Sequence, residues 1–338
     1  MSLHPDRARE LLAAFPRQRI LVIGDLMLDR YIYGAVSRIS PEAPVPIVSV
    51  THEKSMPGGA SNTAWNVQSL GGQAVVGGVL GKDAAGADLK ALLSGGGVGL
   101  EGLLEGEGLR TTVKTRIIAE RQQVVRVDWD DHFDVGDRPA KTFRDLMERE
   151  ARRATGIIIE DYGKGVVCQP VVDAALKVAH EAGIPLGLDP KEGQELDVRG
   201  ITLATPNRHE AFSLAEVRES RPQAHPLEDQ PLLDVSARLL EKWNAEQILV
   251  TLGPQGILLR ARTGGLHHVP TRAREVFDVS GAGDTVIATC VLALAAGATP
   301  VEAAELANHA AGVVVGKLGT ATCTPEELLA NVGIAESE

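Results

Sequence analysis

Short apolar runs that stop at glycine, aspartate or proline recur along the chain, most followed by a segment with helical spacing. RILVIG from Arg19, AVVGGVLG from Ala74, GIIIE from Gly156, IPLGLDP and ITLATPN are such runs. A run without polar alternation is a strand buried on both faces. Helices fit GASNTAWNVQSL, VVDAALKVAHEA, VIATCVLALAAG and AAELANHAAGVVVG, and ILVTLGPQGILL reads as a hairpin around a Gly-Pro turn. Repeated strand–helix units joined by short turns predict an α/β fold, a central mainly parallel sheet with helices on both faces.

One stretch breaks the rhythm. RTTVKTRIIAERQQVVRVDWD (110–130) alternates loosely, is rich in β-branched residues and has no helix between its halves, so it predicts an antiparallel pair. With residues 31–50, whose PEAPVPIVSV starts with prolines as an edge strand does, it predicts a small sheet beside the main one, placed as a lid. The glycine-rich segment 94–108 reads as a turn, and 216–231, with three prolines, as a surface loop.

The 338 residues fit a single domain, 1–338, carrying that lid. A net charge of −11 disfavours partners held by bulk positive charge, so neither nucleic acid nor an anionic membrane is expected, and an anionic ligand needs a locally basic site. Three scattered cysteines fit a reducing compartment. The N-terminus lacks a continuous apolar core of a secretory signal, and the stretch 286–298 is short of the roughly 20 residues that span a bilayer. A cytoplasmic location is the expectation.

The sharpest motif is DVSGAGDT (278–285), directly before a helix. Glycines there present backbone N–H groups at a helix N-terminus, where they and the dipole favour an anion. An aspartate beside that anion makes sense as a proton acceptor, which points to phosphoryl transfer with Asp284 as base and Gly281, Ala282 and Gly283 as anion hole. By spacing alone a turn with an acidic helix cap fits as well. No Walker A sequence is present: GVVVGKLG has too few residues between its first glycine and Gly-Lys, and Leu318 replaces the Ser/Thr. GxGxxG after the first strand, GxSxG and HExxH are also missing, and His267-His268 has no spaced partners for a metal.

PGGASN (57–62) and SGAGDT (280–285) resemble the two signatures of the ribokinase superfamily of carbohydrate kinases. GDLMLDRYIYG, SRISPEAPVP, PGGASNTAWN, EDYGKG, DPK, TPNRHE, VFDVSGAGDTVIA and AAGVVVGKLGT, in that order, are closest to its heptose-7-phosphate kinases. The resemblance implies a ribokinase-like fold and ATP-dependent phosphorylation of the anomeric hydroxyl of D-glycero-D-manno-heptose 7-phosphate, a step towards ADP-heptose for lipopolysaccharide core. It implies Asp284 as base. Asn207 and Glu210 would lie near Mg2+, reached through water, and the ATP phosphates. Arg208, His209, Lys191, Thr251, Gly253, Gly256 and Asn308 would lie along the nucleotide cleft, and Asp25, Asp29, Gly58, Gly59 and Asn62 would hold sugar hydroxyls. Ser280 replaces the usual threonine, and Arg208-His209 is bulkier and more basic than the usual filling of Asn-x-x-Glu.

A sugar that already carries phosphate needs cations. Arg38, Lys164, Arg116, Arg121 and Arg126 are the candidates, since an arginine fork bonds two phosphate oxygens together. Arg38 leads because it lies in the SRISPE string; Lys191 either faces the nucleotide or pairs with Asp189. Two other readings stay open: a kinase of the same fold acting on another sugar, such as a fructose phosphate, and a non-catalytic sugar-nucleotide sensor. A homodimer through the lid is expected, because exposed small sheets have edges that find partners. No His-x-Gly-His string occurs and few residues follow Pro325, so a stand-alone kinase without a fused nucleotidyltransferase is expected.

Overall fold

The computed structural model describes residues 3–120, 122–130, 137–263, 265–273 and 275–335. The order is α1 (Pro5–Ala14), β1 (Arg19–Gly24), β2 (Leu26–Ile39), β3 (Pro46–Gly59), α2 (Ala60–Ser69), β4 (Gln73–Gly81), α3 (Ala84–Gly95), β5 (Gly99–Gly106), β6 (Thr112–Ala119), β7 (Gln122–Trp129) and α4 (Asp137–Ala151). Then follow β8 (Gly156–Glu160), α5 (Gln169–Ala182), β9 (Leu186–Asp189), β10 (Leu203–Ala204), α6 (Arg208–Leu214), α7 (Gln230–Lys242) and β11 (Gln247–Thr251). β12 (Ile257–Ala261), β13 (Gly265–Val269), α8 (Ala282–Ala295), α9 (Pro300–Val314) and α10 (Pro325–Ala335) complete the chain.

Nine strands form the main sheet in the order β13-β12-β11-β10-β9-β8-β1-β4-β5. It is parallel from β5 to β11 and antiparallel only across β11–β12–β13. Successive residues of a strand face opposite ways, and β1 shows the result. Ile20 and Val22 pack into the core with α2, α8 and α9, whereas Leu21 and Ile23 pack into the core with α4, α5 and α7. Each such fully buried side chain contributes roughly 1.5–3 kcal/mol of transfer free energy. The α/β architecture read from the apolar runs is the one observed. The glycine-rich segment 94–108 is a correction: it carries the end of α3 and the edge strand β5 rather than a turn alone. Gly102 lies there with no room for a Cβ, which would stand 2.5 Å from the Val76 carbonyl oxygen.

The second sheet has the order β3-β2-β6-β7, with β2–β3 and β6–β7 antiparallel and β2–β6 parallel. It is the expected lid, but longer than the segments 31–50 and 110–130. β2 begins one residue after β1 ends, and β3 continues to Gly59, so the lid grows directly from the main sheet. Asp25 is that one residue. Its carbonyl accepts from the Ala60 amide (3.1 Å), which ties the root of both lid strands together.

Parallel strands all end at one sheet edge, and ligands of open α/β sheets bind outside those carboxyl ends. The turns after β1, β8, β9, β10 and β11 gather there, below the lid, with the N-terminus of α8.

Candidate active site

Gly281 caps α8 with φ 78°, left-handed backbone that favours glycine, and a Cβ there would stand 2.6 Å from Asn62 Nδ2. That space lets Asn62 reach Asp284, donating to Oδ2 at 2.6 Å, while the Tyr162 hydroxyl donates to Oδ1 at 2.9 Å. Thr285 Oγ1 donates to Asn66 Oδ1 (2.8 Å), fastening α8 to α2. Asp284 is buried, and burial pushes its carboxyl above the usual range against the pull of those two donors. Of the three expected anion-hole residues, Ala282 has its amide turned back to the Val279 carbonyl (3.2 Å). Gly281 and Gly283 flank it at the helix start.

On the sugar side the structure separates the two aspartates. Asp25 accepts hydrogen bonds from the amides of Tyr162 (2.9 Å), Lys164 (3.0 Å) and Val166 (3.2 Å), so its carboxylate holds the loop after β8 instead of facing a ligand. Asp29, on β2, lies in the cleft and accepts from Arg116 Nη1 at 2.8 Å. Gly58 stands against it, since a Cβ there would fall 2.8 Å from Asp29 Oδ2, and a Cβ on Gly59 would fall 2.6 Å from the Asp25 carbonyl oxygen. Asn62 follows on α2, so Asp29, Gly58, Gly59 and Asn62 converge.

The expected phosphate clamp is redistributed. Arg38 is exposed near the far end of β2, nine residues beyond Asp29. At about 3.3 Å per residue that is roughly 30 Å along the strand, out of reach of this chain's own cleft. Lys164 forms an ion pair with Asp130, and Arg126 grips Asp128 with both ends of its fork (2.9 and 3.0 Å). Arg121 lies outside the described residues. Lys114, which the sequence reading missed, stands 5.3 Å from the Tyr162 ring centroid, and burial lowers its pKa. Cross-strand partners in register point to the same face. Lys114 pairs with both Asp29 and Asp128, and Arg116 with both Tyr31 and Arg126, so all of them share the lid face carrying Asp29.

The nucleotide side is looser. Asn207 and Glu210 form a capping box at α6: Asn207 Oδ1 accepts from the Glu210 amide, and Glu210 Oε2 from the Asn207 amide, each at 3.0 Å. The box uses Glu210 Oε2, and the second carboxylate oxygen is a hard donor of the kind Mg2+ takes together with waters, so the pair fits a water-bridged ion. Arg208 does not fit the nucleotide role: it turns away to Asp229 (2.9 Å) and Glu219 (3.5 Å) and lies over the Phe212 ring. His209 is exposed between Glu219 (2.9 Å) and Glu192 (3.7 Å), and its hydrogen bond to Glu219 raises its pKa. Lys191 lines a cavity of about 400 Å³ with Asp161 and Gln194, and no ion pair joins it to Asp189 among the described residues. Thr251 ends β11, bridged to Asn207, and Gly253 (φ 56°) opens the turn after it. Gly256 serves packing, as a Cβ would stand 2.1 Å from the Val269 carbonyl oxygen. Asn308 donates to the Pro270 carbonyl (2.6 Å), which spends its amide on the loop behind the cleft. His268 is held by the Gln255 carbonyl (2.7 Å).

An acidic helix N-terminus, an aspartate-bearing lid and strand ends gathered beneath it define a carbohydrate kinase of the ribokinase-like fold. A model of the pfkB family of carbohydrate kinases matches residues 17–327, and the chain belongs to that family. The protein is 42% identical to the "Bifunctional protein HldE" of Citrifermentans bemidjiense, over 96% of this chain and 66% of that protein. The protein of the same name from Halorhodospira halophila is 44% identical over 95% of this chain and 65% of its own length. The chain thus spans just under two thirds of these relatives. Its fold is similar to Arabidopsis thaliana ribokinase complexed with ribose and ATP (TM-score 0.71, 20% identity, 93% and 98% of the two chains). It is also similar to Escherichia coli phosphofructokinase-2 in complex with potassium (TM-score 0.73, 20% identity, 94% and 99%). No helix among the described residues is long and apolar enough to cross a membrane.

Proposed function

We propose that this chain transfers the γ-phosphoryl group of ATP to the anomeric hydroxyl of D-glycero-D-manno-heptose 7-phosphate, giving the 1,7-bisphosphate and ADP. The observation that carries the phosphorylated substrate is the lid face on which Lys114, Arg116 and Arg126 surround Asp29 in a chain of net charge −11. Asp29 and Asp128 pair with the two arginines, so Lys114 leaves this face with a positive charge for which a neutral sugar has no use. The identity of the sugar rests on the heptose-kinase strings and on the kinship with the HldE proteins.

In this reading Asp29 and Asn62 orient the sugar hydroxyls. Asp284 then accepts the proton of the attacking hydroxyl, with Asn62 and Tyr162, one on each oxygen, fixing the orientation of its carboxylate. The N-terminus of α8 faces the charge that develops on the transferred group. Asn207 and Glu210 would hold Mg2+ through water, and the ion would neutralise nucleotide phosphate charge. The lid excludes water that would otherwise hydrolyse ATP.

The test is a coupled ADP-release assay on heptose 7-phosphate and on hexose phosphates. The expected result is a kcat/KM at least tenfold higher for the heptose, and a reversed preference would refute the substrate assignment. Asp284→Asn is expected to lose nearly all turnover while binding both substrates, and retention of more than about a tenth of it would refute the base.

A further inference from the structure

Gly24, Glu160 and Asp189 stand in one row, Gly24 paired with Glu160 across β1–β8 and Glu160 with Asp189 across β8–β9. Partners in register on parallel strands point to the same face. Two carboxylates therefore close adjacent strands on the side where α8 begins. Asp284 completes the group: one oxygen from each of the three acids lies within 4.8 Å of the others.

The three are not equally served. Asp284 has Asn62 and Tyr162 as donors, and Asp189 accepts from Thr205 Oγ1 at 3.1 Å. Glu160 is 0% exposed, and neither of its oxygens accepts a hydrogen bond from a donor among the described residues. An ionised carboxylate buried without donors costs several kcal/mol, whereas a protonated one brings its own donor. We propose that Glu160 is a positioning residue that keeps its proton and donates it to the Asp189 carboxylate, so that Asp284 works as base beside one buried negative charge instead of two.

The groups facing Glu160 are Asp189 from β9, Asp284 from α8 and Tyr162 from the loop that follows it, with the Thr63 hydroxyl from α2; Glu210 of α6 lies beyond Asp189, and Asp29 beyond Asp284. Burial first, and then the neighbouring acids, push Glu160 well above the usual carboxyl range; burial, Glu210 and Asp284 raise Asp189 too, while hydrogen bonds from Thr205 and Glu160 hold it down. The titration belongs to the group as a whole. A carboxyl whose pKa is raised by folding binds more protons folded than unfolded, so its contribution to stability is present at acid pH and is lost as pH rises through the folded value.

The inference rests on Asp284 being the base, and Glu160→Gln tests it separately. Glutamine keeps the shape and the donor of the protonated acid and cannot ionise. Turnover at saturating substrates is expected to fall on the alkaline side in the wild type. Glu160→Gln is expected to keep neutral-pH turnover within about threefold and to lose that alkaline fall. In difference infrared spectra the carbonyl band of a protonated carboxylic acid should disappear in this variant. An alkaline fall as steep as the wild type's, or an infrared band that persists, would overturn the role of Glu160. So would a loss of more than about tenfold at neutral pH in a variant that folds with wild-type thermal stability. An active Asp284→Asn would instead sink the base assignment, and the infrared band would still decide where the proton sits.

Discussion

Lys114 is the residue the sequence reading passed over, although its signal was in plain view: it lies two positions before Arg116, on the same side of a strand. Its ammonium above the Tyr162 ring connects the lid to the residue that holds Asp284. Lys114→Met is expected to raise the KM for the sugar phosphate about 10- to 100-fold with kcat within a few-fold, the cost of one charge-assisted hydrogen bond. Steady-state kinetics on heptose 7-phosphate measure it, and an unchanged KM would remove Lys114 from the clamp. Arg38 went astray for the opposite reason. A matched string says which residues travel together in a family but nothing of distance, and a strand moves its residues apart by about 3.3 Å at each step.

At the scale of elements, the strands and the glycine-led helices were legible because burial on both faces leaves an unmistakable apolar run, and because Gly281 and Gly59 announce helix starts. Glu160 had a readable mark too, a charge closing an otherwise apolar strand. Contacts between distant segments had none: nothing in GDLM says that Asp25 will hold the amides of residues 162–166. The N-terminus of α6 shows the same limit. Arg208 sits beside the Asn-x-x-Glu residues in sequence, yet its side chain is drawn under the loop to buried Asp229. Arg208→Met leaves that carboxylate buried without a cation, its remaining donors the amides of Gln223 and Leu232, so it is expected to cost about 3 kcal/mol of stability while leaving the KM for ATP unchanged. Calorimetry together with ATP kinetics checks both halves, and a raised KM would return Arg208 to the nucleotide.

At the scale of the whole molecule, the outer part of the lid carries exposed apolar side chains. Val125, Val127 and Trp129 on β7 are exposed, as are Ile39, Val45 and Val50 around the β2–β3 end. Solvent-facing apolar residues on a sheet with open edges are what a second copy would cover, in line with the homodimer proposed from the sequence. Val125→Asp is expected to shift the protein towards monomer in light scattering after size exclusion, and a wild-type protein that is already monomeric at micromolar concentration would refute the dimer.

Asp25 is the only residue between the last residue of β1 and the first of β2, and β2 is paired along its length with β3 and β6. A lid joined in this way has no slack linker to swing on. It is a cantilever about 45 Å long at strand rise, clamped at its root, and any bending it undergoes is that of a paired ribbon. Its opening range is therefore set by the stiffness of hydrogen-bonded strands. Because the clamp is also the anchor of the loop bearing Tyr162, a load on the tip is felt at the base of the active site as torque.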